Sequence, residues 1–95
     1  MSVVADDCLV VRGRLDMATV PALYDTGLKQ LNSSDLRVDF SEVEAVDSAA
    51  ISMLLGWLRA SQRSGKKLLV SGLPEDLLSL ARLYGVAEML PPQVA

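Results

Sequence analysis

The 95-residue chain carries 12 acidic residues against 9 basic ones, a single cysteine and no histidine. A net charge of −3 lacks the basic footprint of a nucleic-acid binder. Without histidine there is no Ser-His or Cys-His nucleophile pair, and one cysteine supplies neither an internal disulfide nor a common zinc ligand set.

A chain of this length makes one small domain, hiding roughly 60–70% of its unfolded surface. Its apolar content of 51% and mean hydropathy of +0.31 are high for that size. Either the core is dense or some apolar surface meets a partner. No apolar stretch approaches the ~20 residues of a membrane span. The N-terminus MSVVADD has neither the basic region nor the apolar run of a signal peptide. Together with the lone Cys8, this predicts a reducing, cytoplasmic setting.

In chain order, residues 2–5 and 8–14 are two β-prone runs around Asp6-Asp7 and predict a hairpin. In the second run Leu9 and Val11 point one way, Cys8 and Val10 the other, and Gly13 marks a bulge or a close backbone approach. Val20, Leu23, Tyr24, Gly27, Leu28 and Leu31 have helical spacing. Pro21 places the start of that helix near residues 18–20, with Asp16 or Thr19 as its cap. The cluster Asn32-Ser33-Ser34-Asp35 ends it. Leu36, Val38 and Phe40 then alternate with polar residues as a strand with one buried face, and an acidic loop, residues 41–46, follows. A second helix runs from Asp47 or Ser48 to about Ser64, with Gly65 as its stop. Residues 67–71 form a strand, Gly72-Leu73-Pro74 a turn, and a third helix runs to Tyr84 with a stripe of Leu77, Leu80, Ala81 and Tyr84. The order β-β-α-β-α-β-α implies crossover units. It predicts an α/β fold with a mixed four-stranded sheet and helices mainly on one face.

Chemistry is sparse. No GxxxxGK[ST] or GxGxxG occurs, and the carboxylates Asp39, Glu42, Glu44 and Asp47 read as a solvated rim. No catalytic residue, metal ligand or cofactor is expected. Ser48 is placed to cap the second helix. Its hydroxyl, at a helix N-terminus on the rim of a sheet, is also where a phosphate would be tolerated. The second helix carries a core stripe of Ile51, Leu54, Leu55 and Leu58. Ala49, Ala50, Met53, Gly56, Trp57 and Ala60 make its neighbouring face apolar or small as well. Such a helix is either enclosed or covered by another chain. Trp57 is an interface anchor, or it packs under the tail against Met89 and Leu90.

The segment VDFSEVEAVDSAAISMLLGWL resembles the signature region of STAS domains, the fold of anti-sigma-factor antagonists, and LDMATVPAL is similar to the start of that family's first helix. In antagonists the signature is Asp-Ser-Ser/Thr-Gly followed by an aliphatic residue, with the serine phosphorylated by a partner kinase. Asp47, Ser48 and Ile51 match it; Ala49 and Ala50 depart from it, the glycine being absent. LARLYGV followed by Met89-Leu90-Pro91 looks like the C-terminal part of MlaB-type STAS subunits of the Mla phospholipid-transport ABC system of Gram-negative envelopes. That resemblance implies a non-catalytic subunit bound to the cytoplasmic ATPase, touching the membrane only through the complex. It implies partner contact at Asp47, Ser48, Ala49, Ala50, Met53 and Trp57. The antagonist branch implies instead a switch by phosphorylation of Ser48.

Overall fold

The computed structural model describes residues 3–5 and 8–91. Four strands, three α-helices and a final 3-10 turn alternate along it: β1 (Val3–Ala5), β2 (Cys8–Leu15), α1 (Val20–Leu31), β3 (Leu36–Val46), α2 (Ser48–Ser64), β4 (Leu68–Ser71), α3 (Glu75–Leu83) and the turn Ala87–Met89. β2, β3 and β4 form a three-stranded parallel array, and the short β1 pairs antiparallel with β2, so the hydrogen-bonded order is β1-β2-β3-β4. The residues at the expected hairpin turn, Asp6 and Asp7, lie outside the described residues.

One face of this sheet is apolar. Leu9 and Val11 of β2, Leu36, Val38 and Phe40 of β3, and Leu68 and Val70 of β4 are buried on it. The opposite face carries the half-buried Cys8 and Val10, the exposed Arg12 and Arg37, and Asp39. Alternation along each strand produces this division. α2 and α3 add Ile51, Leu54, Leu77 and Ala81 to the same core.

The acidic segment after Phe40 is strand, not loop. β3 continues through residues 41–46 because β2 accompanies it, to a last pair of Leu15 with Val46. The register slips twice on the way, and Gly13, at φ 78°, borders the second slip. Arg12 and Glu42 are partners in this register and form an ion pair at 3.2 Å. β4 pairs with β3 only from Leu36 to Asp39, so β2 and the second half of β3 project past it as a two-stranded arm.

α1 and α2 lie against each other along a seam in which each helix supplies an aromatic ring and the glycine that receives the other's. Trp57 rests over Gly27, and its indole Nε1 donates to the Tyr24 carbonyl at 3.0 Å. Tyr24 rests over Gly56. A Cβ at Gly27 would run into the indole, and one at Gly56 into the Tyr24 ring. The seam answers the interface alternative for Trp57: it is 0% exposed, with α1 packed against it, and is not presented to a partner.

The stripe that α2 turns inward is also rotated from the expected one. Ala50, Met53, Leu54 and Trp57 are its fully buried members, while Leu55 and Leu58 are only half-buried. The helix ends at Gly65, whose φ of 74° suits the left-handed C-terminal cap. Of the third helix's expected stripe, Leu77 and Ala81 are buried, Leu80 is half-buried and Tyr84 is exposed.

Candidate partner-binding site

β2 and β3 end side by side, and each leads into a helix N-terminus. The Asp47 N–H donates to the Leu15 carbonyl at 3.1 Å, which ties the two exits together. After Leu15 the chain makes a tight turn. The Asp16 carboxylate accepts the N–H groups of Ala18 at 2.9 Å and Thr19 at 3.2 Å, and the Thr19 hydroxyl donates to the Arg14 carbonyl at 2.8 Å. Thr19 occupies the cap position of α1 without a side-chain capping bond, so the pair works through this turn rather than on the helix itself. Met17 stands at the turn and is 78% exposed, the most exposed large apolar side chain among the described residues.

At the second exit the cap is Asp47, whose carboxylate accepts the Ala49 N–H at 2.8 Å. Ser48 is the first helical residue. It is exposed, and among the described residues its hydroxyl has no hydrogen-bond partner. The expected capping by Ser48 is thereby corrected by one residue: an aspartate with extended backbone satisfies the free N–H, and the serine side chain is left facing outward.

The six residues expected at a partner contact separate into two groups. Asp47 and Ser48 are exposed at the rim. Ala49 (8% exposed), Ala50 (0%), Met53 (1%) and Trp57 (0%) are buried by this chain's own atoms. The reason for placing those four at a contact, a second apolar side left uncovered on α2, does not hold. α1 covers that side at Gly56 and Trp57.

The outward face of α2 continues from Ser48 through Ser52 to the half-buried Leu55, one helical stripe at i, i+4 and i+7. Met17 and Ser52 were not singled out from sequence, and Leu55 was expected in the core stripe. An apolar residue inside the polar turn Asp16–Thr19 was the available signal for Met17.

The carboxylates are strung along β3 rather than gathered at a loop. Among the described residues no group of three or more Cys, Asp or Glu could hold a metal ion. Asp39 accepts the Ser41 N–H at 2.8 Å, and that bond holds its carboxyl below the ordinary carboxylate value. Burial, with Asp39 nearby, pushes the Cys8 thiol up, away from the reactive thiolate. The crevice between the two exits, lined by Arg14 to Asp16 and Ala45 to Asp47, has room for about one water. The site is thus an exposed surface rather than a pocket. No helix of the described residues is long and apolar enough to cross a membrane.

A family model described as "Mlab, STAS domain" matches residues 2–91. Over 97% of its length the chain is similar to a whole chain (100%) of the Acinetobacter MlaFEDB complex in its ATP-bound Vtrans1 conformation, at 32% identity and a TM-score of 0.73. The anti-sigma-B factor antagonist of Staphylococcus aureus is 28% identical over 82 residues, 84% of this chain and 76% of that protein. The anti-sigma factor antagonist SpoIIAA in its unphosphorylated form shares the fold, with a TM-score of 0.72 at 13% identity over 98% of this chain and 84% of that one.

Proposed function

This chain belongs to the Mlab, STAS-domain family, and we propose that it is a non-catalytic accessory subunit that binds the cytoplasmic ATPase of a Mla-type phospholipid-transport ABC transporter. The contact is centred on Asp47 and Ser48 and continues over Ser52, Leu55 and Met17. Ala49, Ala50, Met53 and Trp57 support this surface from below by fixing α2 within the fold. The observation that carries the reading is the first turn of α2: the helix is already capped by Asp47, so the exposed Ser48 hydroxyl has no internal task. The likeness to a chain of the MlaFEDB complex supplies the kind of partner. On this reading the protein lies in the cytoplasm and reaches the inner membrane only through the complex.

The test is co-purification of Ser48→Arg and Ser48→Glu with the cognate ATPase. Both should lose the complex while keeping the circular dichroism and melting temperature of the parent. Retention of the ATPase by both variants overturns the reading.

A second reading is favoured by the same free hydroxyl and by the curated antagonist relatives. Here Ser48 is phosphorylated by a partner kinase, which adds nearly two negative charges beside Asp47 and releases the partner. It requires phosphate incorporation by the cognate kinase that disappears in Ser48→Ala. A kinase that modifies its own antagonist but not this chain removes it.

A further inference from the structure

The two-stranded arm leaves a strand edge open. β4 stops pairing with β3 at Asp39, while β3 continues to Val46 with β2 on its other side only. In a parallel strand the N–H and C=O groups of alternate residues point to each side. The outer side of residues 42–46 therefore presents backbone donors and acceptors to which, among the described residues, no strand is paired. Such an edge is a template for an added strand.

Charge decides what could add. Glu42 and Glu44 are exposed on this stretch, and Asp47 follows it directly. Arg12 already meets Glu42, whereas Glu44 is in no ion pair among the described residues. A second copy of this chain would lay glutamate against glutamate, which cross-strand pairing disfavours. The two register slips also bend the edge away from flat self-association. An extended segment with lysine or arginine opposite Glu44 meets neither obstacle.

We propose that residues 42–46 of β3 receive an extended, basic segment of the partner protein as an added strand, paired by backbone hydrogen bonds and selected by Glu44. This surface runs straight into Asp47 and Ser48 and rests on the reading that an ATPase docks there.

The experiment is hydrogen–deuterium exchange on the complex with the cognate ATPase, joined to the binding of Glu44→Lys and Glu44→Gln. Edge-facing amides of residues 42–46 should exchange at least about tenfold more slowly in the complex. Glu44→Lys should weaken binding about tenfold at low salt, with a smaller loss for Glu44→Gln, and added salt should narrow the gap. A complex that forms with these amides unprotected, or that is indifferent to Glu44→Lys, overturns the added strand and leaves the docking at Ser48 standing. If no complex forms at all, both fall.

Discussion

α2 meets its surroundings in two opposite ways. In its middle, Met53 and Trp57 are buried, and α1 closes over Trp57, with Gly27 and Gly56 hollowed out to receive the rings of Trp57 and Tyr24. In its first turn, Ser48 and Ser52 face outward and the Ser48 hydroxyl is unbonded. The middle is a packing problem solved within the chain. The first turn is a chemical surface that the chain leaves unused. An apolar residue on a helix is thus poor evidence for an interface when another helix can lie beside it. A polar residue relieved of its structural task is better evidence.

Substitutions in the seam should give the largest effects. Trp57→Ala removes a fully buried indole and its bond to the Tyr24 carbonyl, and should cost about 3–5 kcal/mol in urea unfolding. Gly27→Ala puts a methyl group into the indole. Alanine favours a helix by ~1 kcal/mol over glycine, yet the clash should win and leave the variant about 1–3 kcal/mol less stable. A Gly27→Ala protein as stable as its parent would break the contrast, because the seam would then be loose enough to open to a partner.

The rim should respond on a smaller scale and residue by residue. Asp47→Ala removes the helix cap and should cost about 1 kcal/mol. Ser48→Ala removes only an outward hydroxyl and should stay within about 0.5 kcal/mol of the parent. Thermal melts of the two variants side by side sharpen the comparison. Equal losses would return the capping role to Ser48 and leave its side chain no spare function.

The unequal legibility of these regions has physical causes. Period 3.6 in residues 48–64 and the glycine after them fixed α2 closely, since both are local signals. Whether its apolar excess faced a partner or α1 was not local. It depended on Tyr24 and Gly27 meeting Gly56 and Trp57, a match between distant segments that only the folded chain displays. The extension of β3 was hidden for a related reason: Glu42 and Glu44 look like loop residues until β2 pairs beside them and Arg12 meets Glu42. At the Asp47-Ser48 corner both residue types cap helices well, and propensity alone does not separate neighbours one position apart.

Acid is the mildest probe of the same contrast. The buried core contains no polar or charged residue among those described, so protonation has nothing to act on inside the seam. Asp39, near the point where β4 ends and the arm begins, is different. Its carboxylate accepts the Ser41 N–H, and its folded pKa is depressed below the usual 3.8. A depressed carboxylate contributes stability that is fully present above the unfolded value and is lost as pH falls through the folded one. Stability should therefore decline below about pH 4 in part through Asp39, and Asp39→Asn should flatten that part of the curve by lowering the neutral-pH stability towards the acid value. Exchange of the amides of residues 41–46 at acid pH locates the effect. They should loosen before those of α2 that lie under α1, and simultaneous loosening would show that the arm and the seam unfold as one unit.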